Sequence, residues 1–229
     1  MRYISVDTET TGLDPEKDQV LSIGAIIEDT NKPTDFQDTS KFHGVIKRNQ
    51  ITGGLYAINL NQKLLATMNQ YKCAESEAAK AKIEANTGMQ FYNENEIVSE
   101  FFYWLAEHDF VKTKEDDGRA YLDRHVTVRN GKMLPAIDHK TKPIQITVAG
   151  KNFATFDKLF LEKLPRWKQL IKVRQRIMDP AILFLDWEQD ESLPNLATCK
   201  KRAGFQEIVT HNAVEDAWDV IQLLRQTYV

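Results

Sequence analysis

The stretch Ile4-Ser5-Val6-Asp7-Thr8-Glu9-Thr10-Thr11-Gly12-Leu13 decides how the rest of the chain is read. Over residues 2–9, Ile4 and Val6 alternate with Tyr3, Ser5, Asp7 and Glu9, which is the period of a β-strand. Asp7 and Glu9 are two apart, so both carboxylates leave the same face of that strand, and Thr10-Thr11-Gly12 breaks it just beyond them. Two like charges about 4 Å apart repel by roughly 4 kcal/mol at an effective dielectric near 20. A structural role gives no reason to pair acids in this way, whereas a divalent cation does. Taken alone, the pair also fits two solvated acids at a strand end.

Working outward, Val20 to Ile27 is β-branched and apolar, and Phe42 to Lys47 reads as a third strand. Short connections make these three an antiparallel meander. Residues 61–86, rich in Ala, Lys, Glu and Leu, predict a helix ended near Gly88. Residues 95–108 predict a second, more buried helix carrying Ile97, Val98, Phe101, Phe102, Trp104 and Leu105. In 109–142, Asn130-Gly131 between strand-like residues His125 to Leu134 predicts a β-hairpin insertion. Ile144 to Ala149 resumes a core strand, 153–163 and 166–175 read as helices, and Ile177-Met178 as a short strand. Helices over 195–203, closed by Gly204, and over 213–226 complete the chain. With no repeat, low-complexity tract or linker, residues 1–229 are expected to form one α/β domain.

Composition narrows the function classes. The 229 residues are 42% hydrophobic and 28% charged, the balance of a soluble globule. No apolar run approaches the roughly 18 residues of a membrane span. A net charge of −3 argues against coating duplex DNA by charge alone, but not against a nuclease whose site holds metal. Neither Cys73 nor Cys199 belongs to a CxxC or Cys/His cluster, so a disulfide framework and a zinc finger are not expected. The start Met1-Arg2-Tyr3-Ile4 has no signal-peptide pattern, and a cytoplasmic location is expected.

Two further acidic clusters matter. In Gly150-Lys151-Asn152-Phe153-Ala154-Thr155-Phe156-Asp157, a strand ends at Gly150 and a helix is expected to begin near Asn152 as N-cap. Asp157 then lies beside the apolar stripe of Phe153, Phe156 and Phe160. By itself this fits an acid placed favourably against the helix dipole. In His211-Asn212-Ala213-Val214-Glu215-Asp216, Asn212 with Glu215 resembles a capping box, which starts the helix at Ala213. His211 falls on the loop before it and Asp216 in its first turn.

Together, Asp7-x-Glu9-Thr10-Thr11-Gly12-Leu13, Asn152-x-x-x-x-Asp157 and His211-Asn212-Ala213-x-x-Asp216-Ala217 resemble the DEDDh family of 3′–5′ exonucleases, which includes proofreading epsilon-type subunits and RNase T. The resemblance spans Asp7 to Asp216. Val20 to Ala25, Ala57-Ile58-Asn59 and Leu193-Pro194-Asn195-Leu196 support it. The sister DEDDy group has Tyr where Asn212 stands here. Two features depart from the family: Lys151-Asn152 replaces a frequent His-Asn, and the 109–142 hairpin enlarges a usually short connection.

The resemblance implies a ribonuclease H-like mixed five-stranded sheet, an antiparallel meander followed by parallel strands, flanked by helices. It implies two divalent ions, Mg²⁺ or Mn²⁺, on Asp7, Glu9, Asp157 and Asp216, suiting oxygen donors without thiols. Asp7 would bridge both ions, Glu9 and Asp216 would hold the one that activates water, and Asp157 would contact the second. His211 would take the proton from the attacking water. Thr10, Thr11, Gly12 and Leu13 would cradle the terminal nucleotide, with Asn152 and Phe156 also contacting substrate. The expected partner is single-stranded nucleic acid with a free 3′ end, DNA favoured over RNA. The alternative is an inactive nucleic-acid-binding or polymerase-associated subunit of the same fold. Residues 109–151 carry nine Lys/Arg against six Asp/Glu. Tyr121 or Arg129 there could contact a strand, with a solvated edge hairpin as the competing reading.

Overall fold

Strand β1 (Arg2–Thr10) runs through the middle of a five-stranded sheet in the computed structural model, which describes residues 1–110 and 126–229. β2 (Val20–Asp29) pairs antiparallel with β1, and β3 (Lys41–Ile46) antiparallel with β2, so the expected meander forms. Both faces of β1 are covered, because Ile4 and Val6 join the main core while Tyr3 packs in a second cluster on the other side.

Helix α1 (Leu55–Leu60) follows the meander. The single helix expected over 61–86 is two, α2 (Gln62–Cys73) and α3 (Glu77–Thr87). The break has a local cause: the Ser76 hydroxyl accepts the Ala79 amide at 3.2 Å and starts a new helix. β4 (Gln90–Tyr92) pairs parallel with β3 at one edge of the sheet, whose order is β4-β3-β2-β1 with β8 (Val148–Ala149) beyond β1. Its three residues are too few to show a period. Helix α4 (Ile97–Glu107) buries Ile97, Val98, Phe101, Phe102, Leu105 and Ala106, as its pattern requires.

The hairpin appears as β5 (Val126–Arg129) and β6 (Lys132–Pro135). Asn130 and Gly131 both have positive φ, 49° and 76°, which is what a two-residue primed turn demands. Arg129 is committed to the protein: it pairs with Glu100 at 2.5 Å and lies over the Tyr103 ring. Tyr121 and His125 lie outside the described residues.

The core strand expected over 144–149 divides at Thr147. β7 (Ile144–Ile146) and β8 (Val148–Ala149) belong to different sheets, with β8 parallel to β1 through Ile4 and Ser5. The helix expected over 153–163 is shortened to α5 (Asp157–Leu161), and that over 166–175 to α6 (Trp167–Leu170). Beyond α6 the chain turns into β9 (Ile171–Val173), which pairs with β7. Positive φ at Asn152 (57°) and Arg166 (69°) keeps the chain out of the helical region where each longer helix would start. Met178 adds an isolated parallel bridge to Ala149. Among the described residues, no helix is long and apolar enough to cross a membrane.

Helices α7 (Leu196–Arg202) and α8 (Ala213–Arg225) close the chain. Asn195 caps α7 through the Thr198 amide at 2.9 Å. α8 covers the Tyr3 face of the sheet with Val214, Ala217, Val220 and Ile221. Its far end is held by Arg225, whose Nε and Nη2 each donate to buried Glu28 at 2.8 Å. Its near end rests on Gly24, the cross-strand partner of Asp7, where a Cβ would lie 2.2 Å from the Ala213 carbonyl carbon. Gly24→Ala is expected to push this helix end off the sheet and to lower stability by roughly 1–3 kcal/mol. The check is urea unfolding. A reduced midpoint at unchanged slope is expected, and a wild-type midpoint would mean that the close approach does not matter.

Candidate active site

The seating of α8 on Gly24 brings two distant parts of the sequence together. Asp7 and Glu9 project from β1 toward α8, and Asp216 projects from the first turn of α8. Ligand atoms from these three residues all lie within 4.8 Å of one another. The N-cap fixes the helix start, since Asn212 Oδ1 accepts the Val214 and Glu215 amides at 3.1 and 3.3 Å. The capping box is thus realised from the Asn212 side.

Asp157 arrives from the free edge of β1. β8 pairs only with Ile4 and Ser5, so it leaves the Thr8 amide without a strand partner. Asp157 Oδ1 accepts that amide at 2.9 Å and the Thr8 hydroxyl at 2.7 Å. It lies outside the three-acid group but close enough for its charge to act on Asp7 and Glu9.

All four acids hold protons more tightly than ordinary carboxyls. Asp7 is raised well above the usual range by burial and by the charges of Asp157, Glu9 and Asp216. Burial, then Asp216 and Asp157, push Glu9 up to about 7, opposed by the Asn61 side chain. Burial and Asp219 raise Asp216 to about 7, against the Thr210 amide and the Lys200 charge. Burial lifts Asp157 to about 6, with the Thr8 hydroxyl and amide working the other way. Burial and mutual repulsion thus make the cluster favour an added positive charge, a proton or a metal ion. Its all-carboxylate donors suit a hard divalent cation such as Mg²⁺ or Mn²⁺.

A cavity of about 560 Å³ opens over the acids, and His211 and Phe156 line it with Thr10, Gly12 and Leu13. His211 stands at φ 50°, on the loop ahead of α8 as expected. Leu13 is 83% exposed at the rim. Thr11 and Asn152 are not brought in. Thr11 is fully buried: its hydroxyl accepts the Gln19 amide at 2.9 Å and its carbonyl accepts the Gly54 amide at 2.8 Å, so it holds the turn from behind. Asn152 is not a helix N-cap. Its amide donates to Asp179 Oδ2 at 2.9 Å, and its carbonyl closes the turn to Thr155 and Phe156.

Two lining residues carry no clear sequence signal. Asn61 is buried and donates to the Thr10 and Ala57 carbonyls, both at 3.1 Å, beside Glu9. Tyr56 is 78% exposed at the rim. Asn61 opens the stretch that composition marks as helix, and Tyr56 lies in α1, ahead of it.

No family model matches the chain, and no curated protein matches it in sequence. The fold is shared with exonuclease I. The E. coli exonuclease I–ssDNA complex in its zinc-bound form is 15% identical, with a TM-score of 0.53 over 98% of this chain and 39% of that one. A moderately thermophilic exonuclease I from Methylocaldum szegediense is also 15% identical, with a TM-score of 0.53 over 98% and 40%. E. coli exonuclease I with a dA16 oligonucleotide is 14% identical, with a TM-score of 0.51 over 99% and 41%. The chain spans about two fifths of the length of these proteins. Its mixed sheet is the ribonuclease H-like arrangement expected from the sequence.

The raised carboxyls fix the sign of a pH effect. Unfolded Asp and Glu titrate near pH 4. Between about pH 4 and 7 these carboxyls bind more protons in the folded, metal-free chain than in the unfolded one, and buried His43, lowered to about 4, offsets only part of that excess, so stability falls as pH rises through that window. The melting temperature in EDTA should therefore decrease between pH 5 and pH 7.5, and Mn²⁺ should raise it more at pH 7.5. Equal Mn²⁺ shifts at both pH values would contradict this electrostatic picture.

Proposed function

We propose that residues 1–229 form an exonuclease domain that hydrolyses phosphodiester bonds from the 3′ end of single-stranded nucleic acid, DNA in preference to RNA. The observation that carries this reading is the convergence of Asp7, Glu9, Asp216 and His211 on one cavity, from opposite ends of the chain. The fold likeness to exonuclease I, solved with ssDNA, dT13 and dA16, supports the choice of single-stranded DNA.

Asp7, Glu9 and Asp216, with Asp157 at the strand edge, would hold two Mg²⁺ or Mn²⁺ ions, which when bound neutralise the phosphate and favour ionisation of water. His211 accepts the proton of the attacking water and carries it away from the reacting phosphate. The turn from Thr10 to Leu13 receives the terminal nucleotide through Thr10, Gly12 and Leu13, while the Thr11 amide is held by the Gln19 carbonyl. Leu13 and Phe156 supply apolar surface for the last base. Asn61 holds the turn through the Thr10 carbonyl and favours the ionised form of Glu9 against the burial that raises it. Thr11 and Asn152 act by fixing backbone rather than by touching substrate. The full set of acids weighs against an inactive relative.

With Mg²⁺, a 5′-labelled single strand should be shortened from its 3′ end, and a blocked 3′ end should stop it. His211→Ala should lower turnover by about 10²–10⁴ while Mn²⁺ binding persists. Unimpaired digestion of the blocked strand would overturn the end selectivity, and an unchanged rate in His211→Ala would remove the imidazole from the mechanism.

A further inference from the structure

His211 sits on a segment with no regular structure, residues 206–212 between α7 and α8. Its φ of 50° is a conformation that costs a non-glycine residue and persists where the surroundings fix the backbone. Two attachments to α8 flank it: the Thr210 hydroxyl lies 3.5 Å from Asp216 Oδ1, and Asn212 caps the helix. A third comes from Lys200 on α7. This side chain is buried, a rare state for lysine unless it is paired. Its ammonium donates to the Ile208 carbonyl and to Asp219 Oδ2, each at 2.5 Å. Asp219 stands almost one turn beyond Asp216 on α8. The Ile208 side chain itself is 64% exposed, so apolar packing does little to hold the loop there.

Lys200 is not among the residues lining the cavity. Its two partners nevertheless join the loop before His211 to the helix that carries Asp216. We propose that Lys200 is a positioning residue for His211, fixing through Ile208 and Asp219 how the imidazole is presented over Asp7, Glu9 and Asp216. This rests on the nuclease reading above, in which His211 accepts the proton of the attacking water.

A purely structural ion pair and a positioning clamp predict different kinetics. Lys200→Met keeps much of the buried stem and removes the donor. With a single-stranded DNA oligonucleotide and Mg²⁺, it should lower kcat by about 10–100-fold, the scale of a small misplacement of a catalytic group. KM should stay close to wild type when Mg²⁺ is saturating, where any metal affinity lost with the Lys200 charge beside Asp216 no longer limits the rate. In a His211→Ala background the same substitution should cost nothing more, because the group it positions is already gone. An unchanged kcat in Lys200→Met overturns the proposal, and so does an equal loss with and without His211. If circular dichroism shows Lys200→Met unfolded, Asp219→Asn, which keeps the side-chain shape, is put through the same comparison with the same two outcomes. A wild-type chain that digests no strand with Mg²⁺ or Mn²⁺ would overturn the nuclease reading itself and this inference with it.

Discussion

Mutual repulsion among buried carboxylates is the constraint around which the rest is arranged. Asp7, Glu9 and Asp216 bring ligand atoms within 4.8 Å of one another. Such a cluster opposes folding, since like charges in a site of low dielectric raise each other's affinity for protons. The surrounding structure holds it together from both sides. β1 is central and buried on both faces, and α8 is tied to the sheet at both ends, by the close contact at Gly24 and by the Arg225–Glu28 pair. Thr8 spends its amide and hydroxyl on Asp157, holding a fourth acid close to the first two.

The same arrangement explains how an acidic pocket could suit an anionic substrate. A cavity rich in acceptors attracts cations first, and only then a phosphate. The apolar rim, with Leu13, Tyr56 and Phe156, offers contact surface that does not depend on charge. In the proposed nuclease, binding of base and handling of phosphate would thus fall to different parts of one cavity.

Much of this was legible in the sequence where a local rule applied. The i,i+2 spacing of Asp7 and Glu9 needs only strand geometry, and Asn212 before an amphipathic run needs only capping chemistry. Asn130-Gly131 predicts its hairpin because both residues tolerate positive φ. The failures lie where tertiary contacts override local preference. Asn152 looks like an N-cap but adopts positive φ and bonds to Asp179, and the helix starts at Asp157 instead. Thr11 stands in the same Asp7–Leu13 stretch yet faces inward to Gln19 and Gly54. Lys200, Asn61 and Gly24 matter through partners far along the chain, and spacing does not reveal such pairings.

Calorimetric titration of the metal-free wild-type chain with Mn²⁺ near pH 7, in two buffers of different ionisation enthalpy, measures both metal binding and proton release. Saturable binding that expels protons is expected, because raised carboxyls must give up protons to become ligands. No binding, or binding without proton release, would contradict the view that Asp7, Glu9 and Asp216 form a metal site.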